Sequence, residues 1–219
     1  MHVAIIMNGN GRWATQRALP PCVGHAAGAA ALRSTVDSAA ESGIRTLTLY
    51  ALCTPGGTRP RQEIAADLNV LDGYLRGDAH RCHEQLIRIS LIGHHERLRT
   101  AYEVGVERDS QMRMHLRIVV DYSAHDSMVK TLWRSTHPRA PQSFDRQLRE
   151  IDGTALAAGA VDLLVRTGGG RCHSEFMLWE VAYARLHYVD CLWPDFTARC
   201  FKRALAYYAG EDQQVVSIA

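Results

Sequence analysis

The sequence predicts an α/β fold on a mainly parallel sheet, and three observations carry the prediction. Short apolar runs rich in β-branched residues recur along the chain, and segments with helical spacing separate them. The chain has 219 residues, 47% of them hydrophobic and 22% charged, which is room for a single domain with one core. Strands that alternate with helices join through right-handed crossovers, so their sheet is parallel and covered by helices on both faces. Ligands of such sheets sit at the carboxyl ends of the strands.

Val3-Ala4-Ile5-Ile6-Met7 is the first strand, and it runs into a glycine turn and a helix start near Arg12. Helical spacing from Gly28 to Ser42 predicts a second helix; Gly43 follows it, the residue type that most readily takes the left-handed conformation of a helix end. Beyond Ile44 comes the strand Leu47-Thr48-Leu49-Tyr50, then a helix from Arg61 to Leu75. Ile87 to Ile92 and Leu116 to Val120 read as strands, with a helix from His95 to Asp109 between them and another from His125 to Arg134 after them. Ser135 to Ser143 holds two prolines and no period, so a loop is expected there, leading to a short helix near Phe144. Val161 to Val165 is the last apolar run, and Ala198 to Tyr208 the last helix. The tail from Glu211 to Ala219 is expected to fray or to dock on a partner subunit.

The formal net charge is +2, and only Lys130 and Lys202 are lysines, which speaks against a polybasic nucleic-acid module. No apolar run approaches the ~20 residues of a membrane span, and Met-His-Val-Ala-Ile-Ile has no signal-peptide character; a cytoplasmic protein is expected. Six cysteines (Cys22, Cys53, Cys82, Cys172, Cys191, Cys200) include no C-x-x-C pair, so most are read as small buried side chains, and neither a zinc ribbon nor a disulfide framework is indicated. The eleven histidines form no H-E-x-x-H pattern, and His94-His95 reads as a turn. Trp179 and Trp193 are expected in the core, and Tyr207 and Tyr208 in packing or subunit contacts.

Two glycine turns carry the chemistry. Met7-Asn8-Gly9-Asn10-Gly11-Arg12-Trp13 follows the first strand; small residues let backbone N–H groups approach an anion, and an arginine adds charge. The same residues also fit a plain βα turn with a surface arginine. Arg166-Thr167-Gly168-Gly169-Gly170-Arg171 follows the strand at Val161 to Val165, with Ser174 downstream, and again suits a phosphate or diphosphate through guanidinium and amide donors. Both turns should open on one rim of the sheet.

The residues Met7 to Trp13, Gly24-His25, Leu47 to Ala51, Arg59-Pro60, Val161 to Gly169 and Leu192-Trp193-Pro194-Asp195-Phe196 together resemble the cis-prenyltransferases, the undecaprenyl diphosphate synthase family, over residues 2 to about 208. The resemblance implies a homodimeric α/β fold with six central strands and a hydrophobic tunnel, in which an allylic diphosphate loses diphosphate and is attacked by isopentenyl diphosphate. It also implies that Gly9, Asn10, Gly11 and Arg12 hold the allylic diphosphate with His25 beside it. Arg166, Ser174 and Arg59 match groups near the isopentenyl diphosphate, with Arg171 as a further candidate. Leu52, Val70, Leu71 and Leu75 would line the tunnel.

Several matching positions depart from the family. Asn8 replaces an aspartate that helps place Mg²⁺, and Arg185 replaces a glutamate, so neither supplies a carboxylate; Mg²⁺ is implied by the resemblance and questioned by these residues. Thr54-Pro55-Gly56-Gly57 replaces Ser-Glu-Asn-Trp, Pro21 and Cys172 replace arginines, and Asp121-Tyr122-Ser123-Ala124 replaces Asn-Tyr-Gly-Gly. The charge changes at Asn8, Pro21, Cys172 and Arg185 sum to about +1, less than one Mg²⁺. Asp190 and Asp195 could replace the missing carboxylates only by facing the rim. With Asn8, Arg12 and His25 as the reacting-site groups, the expected activity is ionisation of dimethylallyl, geranyl or farnesyl diphosphate. The cation then undergoes irregular coupling, cyclisation or transfer to an unusual acceptor. Ordinary Z-prenyl elongation and a non-catalytic prenyl-diphosphate-binding or partner subunit are the alternatives. No nucleic-acid partner is expected, and membrane contact at most peripherally through a lipid product.

Overall fold

The computed structural model describes residues 1–52, 61–93, 111–134, 144, 146–148, 159–171 and 175–210. Its strands are β1 (His2–Ile6), β2 (Thr46–Leu52), β3 (Ile87–Gly93), β4 (Met114–Val120), β5 (Leu163–Arg166) and β6 (Arg185–Tyr188). They form one sheet in the order β3-β4-β2-β1-β5-β6, every pair parallel. The described helices are α1 (Asn10–Gln16), α2 (Pro21–Glu41), α3 (Arg61–Glu84), α4 (Ala124–Arg134) and α5 (Ala198–Ala209), with a 3₁₀ turn at Trp193–Asp195. The chain leaves β1 toward β2 on one side, while β5 pairs on the other, so the ends of β1 and β5 form the crevice where parallel sheets hold ligands.

Alternation along the strands divides the core. Val3, Ile5, Leu47, Leu49, Leu163 and Val165 pack with residues of α2, α3 and α5, among them Val36, Leu75 and Phe201. The opposite face sets Ala4, Ile6, Tyr50 and Leu164 against Phe176, Met177 and Val181, with the Tyr50 and Phe176 rings stacked at 4.5 Å. Asp78 of α3, nearly buried, binds Arg33 of α2 in a fork at 2.6–3.0 Å and also pairs with Arg81, which fixes α2 against α3.

The five strands read from apolar runs are present with small shifts at their ends. β6 was not among those runs: Arg-Leu-His-Tyr is polar because this strand is a half-exposed sheet edge. α2 starts at Pro21 rather than Gly28. Pro21 takes the first helical position, where a missing N–H costs nothing, and Gly24 and Gly28 lie inside the helix as sites of close packing. α3 continues past Leu75 to Glu84, bringing Asp78 and buried Cys82 onto the core side. Gly43, at φ 71°, follows the α2 terminus as expected.

Trp193 is buried, but Trp179 is 39% exposed and rests on Phe144; its polar edge suits a surface position. Nor are most of the described cysteines buried: Cys82 is, Cys191 and Cys200 are half-buried, and Cys22 is exposed at the start of α2. Tyr207 packs on the His187 ring at 4.6 Å. Among the described residues no helix is long and apolar enough to cross a membrane. The expected helix His95–Asp109 with His94, the loop Ser135–Ser143, Cys53, Thr54–Gly57, Arg59, Cys172, Ser174, the tail 211–219 and the Leu52 side chain lie outside the described residues.

Candidate functional site

The two glycine turns meet at the carboxyl ends of β1 and β5, and a buried threonine joins them. The Asn8 N–H donates to Thr167 Oγ1 at 2.9 Å, and that hydroxyl donates to the Asn8 carbonyl at 2.9 Å. Arg12 crosses the gap, its Nη2 donating to the Gly168 carbonyl at 2.8 Å. Gly168 has φ 86°, and a Cβ there would stand 2.4 Å from Arg12 Nη2, so only glycine lets the guanidinium settle. Gly9, at φ 126°, passes Leu192 so closely that a Cβ would lie 2.9 Å from the leucine's own Cβ. α1 thus opens on a glycine with no side chain capping it, so its first amides have no side-chain acceptor.

Beneath this cradle lies an apolar cavity of about 50 Å³, lined by Met7, Asn10, His25, Ala51, Val70, Leu71, Tyr74 and Trp193 among others. The helical glycine Gly28 brings α2 so near that a Cβ would fall 2.5 Å from Asn10 Oδ1. Asn10 Nδ2 and His25 Nδ1 lie 3.5 Å apart. Asn10, His25, Val70 and Leu71 therefore come together as the sequence suggested. Leu75 does not: it is fully buried in the core instead of standing on the cavity wall.

The second turn folds its own arginine inward. The Arg166 guanidinium lies over Gly170, where a Cβ would be 3.1 Å from Nη2, while Arg171 is exposed at the end of the turn. Arg185 is not part of the cradle. It begins β6, opposite Leu163 at the amino end of the sheet, and its exposed guanidinium donates to the Tyr208 carbonyl and lies 5.2 Å from that ring. Within this chain, the position where the family's glutamate is replaced therefore does not face the cradle. Asp195 is also engaged elsewhere, accepting from Trp13 Nε1 at 2.8 Å and pairing with Arg17 at 3.4 Å. Asp190 does face the second turn: its Oδ1 lies 3.8 Å from where a Gly169 Cβ would stand.

Sequence reasoning missed four supports. Thr167 is fully buried between the turns; its small hydroxyl between an arginine and a glycine was the available signal. Cys191 accepts from the Gly168 N–H at 2.8 Å, and the Trp193 N–H donates to the Asn8 carbonyl at 3.0 Å. Glu175 binds Ser123 Oγ at 2.9 Å and lies 3.3 Å from His125. The hydrogen bond from Ser123, then that from His125, holds its carboxyl below the usual range. Ser123, one of the residues in place of the family's glycines, thus gains a partner.

Residues 6–215 match the family described as putative undecaprenyl diphosphate synthase. The chain belongs to the cis-prenyltransferase family. It is 38% identical to isoprenyl transferase 1 of Bradyrhizobium diazoefficiens, covering 98% of this chain and 88% of the relative. Against the (2E,6E)-farnesyl-diphosphate-specific ditrans,polycis-undecaprenyl-diphosphate synthase of Escherichia coli it is 31% identical, over 97% of this chain and 88% of that protein. A crystal structure of lavandulyl diphosphate synthase from Lavandula x intermedia, in complex with dimethylallyl diphosphate, has the same fold, with a TM-score of 0.79 over 94% of each chain and 24% identity. As a cis-prenyltransferase the protein is a transferase acting on isoprenyl diphosphates.

Members of this family typically use Mg²⁺. The donors present at this cradle do not fit a cation held by the protein. Asn8 offers a neutral amide, Asp190 a single carboxylate at the second turn, and the described residues contain no group of three His, Cys, Asp or Glu side chains able to hold a metal. A hard cation of this kind prefers near-octahedral oxygen with carboxylate charge.

Proposed function

We propose that this cis-prenyltransferase ionises a short allylic diphosphate and passes the resulting cation to an acceptor other than isopentenyl diphosphate, or rearranges it. The carrying observation is a one-sided site. The first turn keeps its glycines, Arg12, Asn10 and His25 above an apolar cavity, while carboxylates are replaced by an amide at Asn8 and by an arginine turned toward Tyr208. In this mechanism the allylic carbon–oxygen bond breaks and both its electrons leave with the diphosphate. The first amides of α1, Arg12 and His25 oppose the charge that develops on the departing group. Arg12 is pre-oriented by its bond to Gly168, and a guanidinium has donors left over for phosphate oxygens. Met7, Ala51, Val70, Leu71 and Trp193 keep water from the cation. The apolar cavity directly beneath the cradle is where the prenyl chain of an allylic diphosphate would lie. The solved neighbour, which carries dimethylallyl diphosphate, supports the same class of ligand.

The test is product analysis by gas chromatography and mass spectrometry over dimethylallyl, geranyl and farnesyl diphosphates. Expected is consumption of at least one of them, with diphosphate release, in the absence of isopentenyl diphosphate. The proposal fails if all three bind and none is consumed, with or without Mg²⁺. Ordinary Z-elongation is the second reading, favoured by 38% identity to an isoprenyl transferase, and a five-carbon extension that needs isopentenyl diphosphate would establish it. We also propose a cytoplasmic homodimer: β6 leaves a half-exposed sheet edge, and light scattering at micromolar concentration reads the mass.

A further inference from the structure

We propose that His125, held by Glu175, takes the proton of the second reactant, and that this acceptor is a neutral O–H compound, water included, rather than a second diphosphate. The acceptor class rests on the ionisation proposed above. Ser123 Oγ donates to Glu175 Oε2 at 2.9 Å, and His125 Nδ1 lies 3.3 Å from the same oxygen. Ser123 also caps α4, accepting from the Asp126 N–H at 3.3 Å. Capping needs the hydroxyl alone, so it does not account for a carboxylate and an imidazole gathered beside it. The family pattern does not account for them either, since it has glycine where Ser123 stands.

Tyr50 at the end of β2 fixes both segments. Its hydroxyl donates to the Tyr122 carbonyl at 3.0 Å, and its ring stacks on Phe176 at 4.5 Å. Asp121 and Met177 flank the cluster at φ 48° and 46°, a left-handed backbone that non-glycine residues keep only where their surroundings impose it. Tyr50 is the register partner of Ile6 on one side and of Val119 on the other. The end of β4 therefore lies two strand spacings, about 10 Å, from the end of β1 that opens the cradle. The cluster stands on the same rim, on the side away from β5.

The hydrogen bond from Ser123, then that from His125, keeps Glu175 ionised at neutral pH. A carboxylate facing Nδ1 favours the tautomer with the proton there, which leaves Nε2 with a lone pair. The His125 side chain is 66% exposed, so an acceptor can reach it. Like charge at Glu175 opposes a second diphosphate and suits an uncharged acceptor. Once the allylic carbon–oxygen bond has broken, a lone pair of the acceptor oxygen forms the new bond to carbon and gives an oxonium ion. His125 Nε2 takes its proton; without that transfer the oxonium ion releases the acceptor and returns to the cation. The product is a prenyl ether, or a prenyl alcohol when the acceptor is water, and the imidazolium returns its proton to solvent.

Incubating the protein with dimethylallyl, geranyl or farnesyl diphosphate in heavy-oxygen water, with and without added geraniol, reads the acceptor by mass spectrometry. Expected is a prenyl alcohol carrying the heavy oxygen on carbon, or an ether when geraniol is present; phosphatase cleavage would leave the alcohol unlabelled. His125→Gly should lower this product about a hundredfold, and imidazole in the buffer should restore it at least tenfold. Glu175→Gln should lower kcat about tenfold with KM for the allylic diphosphate unchanged. Products that carry no acceptor oxygen, or a His125→Gly rate equal to wild type, overturn this proposal and leave the ionisation reading standing. A slow His125→Gly that imidazole does not restore marks a structural role and overturns it too. A wild type that consumes none of the three diphosphates overturns both.

Discussion

Gly168 concentrates the demands of the cradle in one residue: a left-handed backbone, an N–H held by Cys191, a carbonyl held by Arg12, and no room for a side chain. Gly168→Ala should therefore displace Arg12 and strain the turn by about 1–3 kcal/mol. Calorimetry with pyrophosphate is expected to show roughly tenfold weaker binding, with a urea midpoint lowered to match; unchanged affinity would mean that Arg12 does not serve the anion. Asn8 poses a different question. Its backbone is fixed by Thr167 and Trp193, so Asn8→Asp changes charge without moving the chain. Restoring the carboxylate should shift products toward five-carbon extension when isopentenyl diphosphate and Mg²⁺ are both supplied, by about tenfold in the product ratio. An unaltered ratio would show that the neutral amide does not set the choice of acceptor.

α3 carries a polar group into the cavity at a cost to folding. Tyr74 is 4% exposed, and its hydroxyl has no hydrogen-bond partner among the described residues, while burial pushes its pKa upward. Tyr74→Phe keeps the ring and removes that penalty, and urea unfolding should show a gain of about 1 kcal/mol; a loss of stability would reveal a partner for the hydroxyl. The elements themselves were legible to very different degrees. β1, β2 and β4 announced themselves because both their faces are buried, which favours apolar and β-branched residues, with buried Thr48, His115 and Arg117 as exceptions. β6 has a solvent-facing edge and a polar sequence, so pattern alone does not distinguish it from a loop. The start of α2 was obscured because Gly24 and Gly28, which look like interruptions, serve close approach to α1. Both glycine turns could be read locally, but the β1–β5 pairing that sets Asn8 beside Thr167 is long-range and leaves no local mark.

At the scale of the whole molecule, the two ends of the sheet are chemically unlike. The carboxyl ends carry the cradle, while the amino ends open on a cavity of about 490 Å³ lined by His2, Arg45, Arg88, His115 and Asp162 among others. His2 ties this end together: its Nε2 meets Thr48 Oγ1 at 2.8 Å, its Nδ1 meets the Gly159 carbonyl at 3.0 Å, and its N–H donates to Asp162 at 2.6 Å. Burial first, then the nearby charge of Arg117, lowers its pKa to about 4, against partial opposition from Gly159 and Asp162. The unfolded chain protonates this imidazole near its ordinary value of about 6.5, so between pH 6.5 and 4 the unfolded state binds more protons than the native one. His2 therefore leaves stability intact above about pH 6.5 and draws it down as the pH falls toward 4, by up to about 3 kcal/mol. His2→Gln keeps a neutral polar side chain that does not titrate in this range. Urea unfolding at pH 7.5 and 4.5 should show the wild type losing a few kcal/mol more than the variant across that interval. Parallel losses in the two proteins would place the acid sensitivity elsewhere than at the amino ends of the sheet.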